Sequence, residues 1–350
     1  MCKKLDERYT LDTCSGFHEA REDFNSRVAL SNVRHDDDSQ PPRQQQLSDA
    51  IDAQTLHNLT QANINDTKYQ AHLQLVSQSG AGQWLHALPS PALRNDIAAP
   101  HFRVMIQRRL RASIFYEEFH CPLCDDIMDV HADHALVCSC GGDRTKRHNL
   151  LRNEVFFLCT SAGLNPELER PGLLEPRPLV GALAEDGSRG GSVANRRPAD
   201  VFLPRWRQGL PCALDFAVSS GLRTSIVEGS ARDGSSCARA YEAFKCEHLN
   251  TRARCEEEGI TFLPMVVEAH GGGWGQEAHK VWAQLAKLKC SITGERESST
   301  ACNLLQRLGV VLHRENARSI LRRWPSSPLA IDQSYLAAVA DSFASSAMLT

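Results

Sequence analysis

Four metal-binding side chains packed between Cys121 and Cys138 constrain this chain more than any other feature of its sequence. Cys121-Pro122-Leu123-Cys124 is a C-x2-C turn, and His134 and Cys138 follow at a spacing that completes C-x2-C-x9-H-x3-C. Zinc favours four tetrahedral thiolate and imidazole ligands, and a C-x2-C turn presents two thiolates from one tight loop. Two such pairs close around one ion without a large core. His131 rivals His134 as the fourth ligand, and Cys140 rivals Cys138. No open coordination position is implied, so the pattern points to a structural Zn2+. The chain has 13 cysteines, an odd number. Most of the others are scattered singly, and Cys159, Cys212 and Cys237 read as small buried hydrophobes. With no apolar run in Met1–Glu7 to serve as a secretory signal, a disulfide framework is not expected.

At 350 residues the chain has room for two or three domains, or for one core with helical appendages. No stretch approaches the roughly 18 apolar residues of a membrane span, so an intracellular protein with no membrane partner is expected. A net charge of -3 excludes a strongly basic nucleic-acid coat protein, and any nucleic-acid contact must come from local patches. Residues 1–46 are polar, with an acidic run at Asp36-Asp37-Asp38 and a Gln tract; too little apolar surface recurs for a packed unit, and disorder is expected. Helical periodicity occupies residues 47–118. The Cys/His cluster fills 119–146, an α/β region 147–292, and a helical, basic tail 293–350.

Within the α/β region a helix is expected over Arg147 to Ala162, followed by a Pro/Gly-rich excursion from Pro171 to Arg197. Val201-Phe202-Leu203 and Ala213 to Val218 are short β-prone runs. A helix from about Ser236 to Glu258, a buried strand from Ile260 to Val267 and a helix from Gln276 to Lys289 complete an α/β alternation. Asp200 leads into the first β-run and Asp215 sits inside the second, between Leu214 and Phe216. A carboxylate inside an apolar strand is costly unless it is paired or bound to a metal. If the runs are neighbouring strands, both carboxylates meet at one spot and offer the hard oxygen ligands Mg2+ prefers. Lys245, on the following helix, is the cation that would stabilise charge on a transferring phosphate.

The order of these features resembles the C-terminal region of site-specific non-LTR retrotransposon reverse transcriptases. There a CCHC zinc knuckle precedes a restriction-enzyme-like, PD-(D/E)xK endonuclease. The residues that carry the resemblance are the knuckle, Arg147-His148-Asn149, Arg197-Pro198-Ala199-Asp200, Asp215, Lys245, the strand ending in Glu268 and Gly271-Gly272-Gly273-Trp274. The upstream Gly80-Ala81-Gly82-Gln83-Trp84-Leu85 adds to it, so that roughly residues 80–325 are covered. The resemblance implies a restriction-endonuclease-like core, a mixed sheet flanked by helices. It further implies a Mg2+-dependent DNA endonuclease, with Asp200 and Asp215 as metal ligands, Lys245 as the third catalytic residue, and a nuclear location. DNA is the implied partner, with RNA as a second; no small-molecule organic cofactor is expected. The chain departs from the family in four places. Ala199 interrupts the Pro-Asp dipeptide, Ala217 stands where many such nucleases carry the Lys, His248-Leu249 replaces a Lys-Tyr pair, and no Tyr-x-Asp-Asp polymerase motif is present.

Other residues carry two readings. Arg147 and His148 would bracket a phosphate at a helix N-terminus or merely brace the knuckle. Arg197, which precedes the first Asp, is a further candidate for nucleic-acid contact. Arg307, Arg314, Arg318 and Arg322 share one helix face, either solvated or in contact with a nucleic-acid backbone. Glu154 reads as a solvated helix acid and Trp274 as a packed aromatic. The alternative to an enzyme is a catalytically decayed fold kept as a zinc-dependent nucleic-acid-binding protein.

Overall fold

The computed structural model describes residues 13–28, 43–175, 177–178, 192–193 and 198–324. The chain divides between Gln70 and Ala71 into two compact units. The first contains helices α1 (Thr13–Arg27) and α2 (Gln44–Ala62). The helix α1 falls inside the segment for which composition predicts disorder. Local pairing supports it: Asp23 and Arg27, one turn apart, form an ion pair at 3.1 Å. The Gln tract has a role at the start of α2, where the Arg43 backbone N–H donates to Gln46 Oε1 at 2.8 Å. Asp36, Asp37 and Asp38 lie outside the described residues.

Helix α3 (Thr67–Val76) crosses the division, and the second unit continues with α4 (Ala99–Arg109), the short strands β1 (Phe119–His120) and β2 (Ile127–Met128), and α5 (Asp133–Val137). Then come α6 (Asp143–Ser161), β3 (Glu167–Leu168), the small pair β4 (Arg177–Pro178) and β5 (Ser192–Val193), β6 (Val201–Leu203) and β7 (Cys212–Ser219). Helices α7 (Val227–Arg232), α8 (Ser236–Glu247) and α9 (Thr251–Glu257) lead to β8 (Thr261–Glu268), α10 (Gln276–Thr293) and α11 (Glu297–Leu321). The single helix expected after Ser236 is broken because Leu249 and Asn250 adopt left-handed backbone, φ 56° and 55°. Among the described residues no helix is long and apolar enough to cross a membrane.

The central sheet is mixed, in the order β3-β6-β7-β8. The strand β6 runs antiparallel to β7, with Val201 opposite Leu214, and β7 runs parallel to β8, with Asp215 opposite Pro264. The parallel step needs a long crossover, which α7 to α9 supply. Pro264 is accommodated because β8 is an edge strand. Both faces of β7 are covered, so it reads as a nearly continuous apolar run. Leu214 and Phe216 pack with Leu151, Val155, Trp282, Leu285, Leu308 and Leu312 from α6, α10 and α11. Ala217 faces the other way, against Ala238 and Tyr241 of α8 and Val266 of β8. Alternation along β7 therefore puts Asp215 on the α8 face.

The α/β class expected from the alternation of elements is what the chain adopts. Leu304, Leu308, Val311 and Leu312 of α11 belong to the main core, and Val310, Ala317 and Ile320 to a second core around the Cys/His cluster. Residues 293–324 are central because α11 is amphipathic on more than one side; residues 325–350 lie outside those described.

Candidate functional site

The Cys/His cluster is built by tight turns. The Asp125 N–H donates to the Cys121 carbonyl at 3.0 Å, with Asp125 itself left-handed at φ 61°, and the Cys121 N–H donates to the Asp126 carbonyl at 2.8 Å. Asp129 accepts the backbone N–H of His131 and of His134, each at 3.0 Å, which fixes the start of α5. The ligand atoms of Cys121, Cys124, His134 and Cys138 all lie within 4.8 Å of one another. Cys124 Sγ is 3.1 Å from His134 Nε2 and 3.5 Å from Cys138 Sγ. Tetrahedral zinc with Zn–S bonds near 2.3 Å separates its sulfurs by about 3.8 Å, so the donor set suits a metal such as zinc. The rivals fall away: His131 Nδ1 turns to the Ala112 carbonyl at 3.5 Å, and Cys140 presents its carbonyl, not its sulfur, to Cys138.

A buried cation backs the cluster. Arg323 is fully buried and donates through Nη2 to the Cys140 carbonyl at 3.3 Å, within the cluster's own loop. Burial raises the Cys138 pKa, but Arg323, the Cys140 backbone and Cys124 together outweigh it and hold the thiol below its ordinary range. Arg323 Nη1 donates in turn to Asp143 Oδ2 at 2.6 Å and to the Ser319 carbonyl at 2.7 Å. Asp143 also receives Arg318 at 2.9 Å and Arg322 at 3.2 Å. Neither Asp143 nor Arg323 stands out in the sequence, because their role depends on α11 folding back over the cluster.

These contacts correct the reading of the basic residues. Arg147 is buried, donating to Asn316 Oδ1 at 2.7 Å and to the Leu136 carbonyl at 2.9 Å, so it braces the cluster and reaches no ligand. The helix expected to open at Arg147 starts at Asp143, after two left-handed glycines, Gly141 and Gly142. Arg314 is half-buried and reaches the Arg94 and Asp96 carbonyls at 3.4 Å. Arg318 is taken by Asp143 and by Glu315, and Arg307 pairs with Glu154 at 2.5 Å. The face of α11 that reads as solvated and basic is thus an ion-paired interface, and Glu154 is a buried acid within it. Arg322, with a 44% exposed side chain, keeps the most access to solvent. Arg197 lies outside the described residues. Trp274 is packed edge-on against Trp282, with ring centroids 4.9 Å apart.

The carboxylates do meet. Asp200 sits one residue before β6, beyond the last ladder pair, where its Oδ2 accepts the Phe216 N–H at 2.6 Å. Its Oδ1 faces His148 Nε2 of α6 at 3.2 Å. Lys245 Nζ, from α8, lies 2.8 Å from both oxygens of Asp215 and 3.2 Å from the Phe216 carbonyl. All four side chains remain partly open to solvent, between 18 and 27% exposed. Burial pushes the Asp215 carboxyl up to about 6, with the adjacent Asp200 charge adding to it and Lys245 opposing. Asp200 moves the other way: burial works against ionisation, but His148, the Phe216 N–H and Lys245 together hold its carboxyl below the ordinary range. Burial and charge thus push the two carboxyls in opposite directions, Asp200 down and Asp215 up.

His148 is the member that sequence reasoning misplaced. As the residue after Arg147 it reads as half of a phosphate bracket. In the fold the two diverge, Arg147 inward and His148 toward Asp200. Glu268, at the end of β8, is buried elsewhere and accepts backbone N–H groups from Gly221, His270 and Gly271 at 2.8, 2.9 and 2.5 Å. It ties loops together and takes no part in the carboxylate site. No protein-family model and no curated protein matches this chain.

Proposed function

We propose that the chain is a divalent-metal-dependent endonuclease that nicks double-stranded DNA. In this reading the core is of the restriction-enzyme type, derived from a non-LTR retrotransposon, and acts in the nucleus. The observation that carries the proposal is the convergence of Asp200, Asp215 and Lys245. They come from a strand start, a strand centre and a crossover helix far apart in sequence, and they lie in a place that solvent reaches. Two carboxylates against one ammonium leave a net negative site; burial raises Asp215 most and the adjacent Asp200 charge adds to it, a cost that a divalent cation relieves. A cation held there would supply charge to lower the pKa of a water and to offset the leaving oxygen.

The chain's own residues would do the rest. Asp200, kept ionised by the Phe216 N–H and His148, offers one fixed oxygen. Asp215 would offer the second carboxylate to the cation. Lys245 orients Asp215 and faces the phosphate with a positive charge. The Cys3His cluster would be a zinc knuckle whose ion anchors the turn beside α6 and helps hold DNA, or RNA, against the site.

Supercoiled plasmid is the direct substrate. With Mg2+ or Mn2+ the protein is expected to convert it to the open-circular form, and with Ca2+, a looser and poorer Lewis acid, it is not. Binding of DNA without nicking under any of the cations would overturn the endonuclease reading in favour of a decayed nucleic-acid-binding protein.

A further inference from the structure

We infer that the loop joining β6 to β7 forms, with β8 and α10, a second site that takes an unpaired nucleotide of single-stranded nucleic acid. This site lies across the sheet from the carboxylates and does not depend on their role.

The loop is built to stand still. Pro204 ends β6, and the chain reverses over Arg205 to Leu210. The Trp206 N–H donates to the Leu210 carbonyl at 2.7 Å, and the Leu210 N–H returns to the Arg207 carbonyl at 3.1 Å. Between them Gln208 and Gly209 take left-handed backbone, φ 55° and 78°. Arg207 Nη2 fastens the turn to α10 through the Lys280 carbonyl at 3.4 Å. Trp206 packs on the main core yet stays only half-buried. It lines a cavity of about 350 Å3 with Arg207, Leu210, Leu263, Lys280 and Val281. Pockets for organic ligands run from about 300 to 1,000 Å3, so this one has room for a single small group.

The lining chooses the ligand. An indole beside aliphatic walls suits a flat ring, and every nucleobase has a π-face on which it can stack. The charge suits a phosphate. Arg205, Arg207 and Lys280 stand against one acid, Glu277, in a chain whose net charge is -3. The Lys280–Glu277 pair, at 2.9 Å, involves a lysine side chain 60% exposed, so opening it costs little. A duplex keeps its bases stacked on one another, whereas an unpaired nucleotide offers both ring and phosphate. Exposed Arg205 and Leu210, 53% exposed, extend the same surface along which a strand would continue. The occupant stays clear of the carboxylates. Thr261, on the cavity wall, is opposite Cys212, three residues or about 10 Å along β7 from Asp215. Trp206 and Leu263 pack with Leu214 and Phe216, on the face away from Asp215.

The test uses the full chain, loaded with zinc and with no other metal added, so that no cleavage intervenes. The probe is an oligodeoxythymidine carrying one 2-aminopurine, whose fluorescence is quenched by stacking; anisotropy of a fluorescein-labelled copy reports affinity. Wild type should bind the single strand and quench the 2-aminopurine. Trp206→Leu keeps an apolar side chain against the core; it should lose the quenching and weaken binding by about 5- to 150-fold. Trp206→Phe should keep most of both. Arg207→Gln should flatten the dependence of log affinity on log salt by about 0.7, the loss of one phosphate contact. Wild-type affinity and quenching in Trp206→Leu would overturn the inference. Should that variant melt well below wild type, Arg207→Gln decides, and an unmoved salt slope overturns it. Duplex bound as tightly as single strand with the same dependence on Trp206 would overturn it too. So would thymidine monophosphate binding as tightly as the oligonucleotide, because the pocket would then hold a free nucleotide and not a strand. Failure of metal-dependent nicking leaves all these readouts untouched, and their failure leaves the endonuclease reading untouched.

Discussion

Replacing Asp143 by Asn removes the one carboxylate that balances a fully buried arginine, and its cost can be worked from the contacts. Arg323 is completely buried, with Nη1 2.6 Å from Asp143 Oδ2. Removing one partner of a buried ion pair costs about 3–5 kcal/mol, mostly because the other charge is left unpaired. The second cation, Arg318, keeps Glu315 at 2.7 Å, and the third, Arg322, is 44% exposed, where an ion pair contributes roughly 0–1 kcal/mol. The lower end of the range is therefore appropriate, about 3 kcal/mol. In a unit of this size that corresponds to a melting temperature lower by about 6–12 °C. The effect should also depend on pH. Burial opposes ionisation of Asp143, but its arginines win and depress its folded-state pKa. Its contribution is thus fully present above the unfolded value of about 3.9 and lost as pH falls through the folded one. Thermal denaturation by circular dichroism, repeated from neutral pH down to about pH 3, should show the gap between wild type and variant constant above about pH 5 and closing below about pH 4. A melting temperature within about 2 °C of wild type at neutral pH would refute the claim that Asp143 holds α11 to the Cys/His cluster.

Three further outcomes follow from the same contacts. Cys121→Ser and Cys138→Ser should each lose the zinc that metal analysis finds in reduced wild type, whereas Cys140→Ser and His131→Ala should retain it; loss in His131→Ala would reassign the fourth ligand. Leu308→Ala should cost about 2–5 kcal/mol in denaturant unfolding, because α11 lies in the main core. Arg147→Ala should lower stability and leave DNA affinity unchanged, since both of its hydrogen bonds are internal; reduced DNA binding in a folded variant would restore it to the nucleic-acid surface.

What the sequence made legible was local. The C-x2-C-x9-H-x3-C spacing identified the four clustered side chains because a turn and a short helix bring them together with little help from the rest of the chain. The pairing of the two β-runs could be anticipated because β7 is buried on both faces, and an Asp within such a strand marks itself. Long-range partners were hidden. Whether Arg318 faces water or Asp143 depends on α11 crossing α6, a contact between residues 175 positions apart. No periodicity encodes it, and a basic helix face looks the same in either case. His148 was obscured by its neighbour: the two residues lie about 100° apart on the helix, so Arg147 and His148 serve different surfaces. Helix α1 forms without an apolar stripe, the signal on which the expectation of disorder relied.

The central claim is that Asp200, Asp215 and Lys245 act together on a phosphodiester. It is tested most directly by comparing DNA binding and nicking in Asp215→Ala. Removing a carboxylate that faces the phosphate should abolish Mn2+- or Mg2+-dependent nicking while leaving DNA affinity equal to or greater than that of wild type, with Lys245→Ala slowing cleavage more than it weakens binding. Nicking by Asp215→Ala at the wild-type rate would contradict the account.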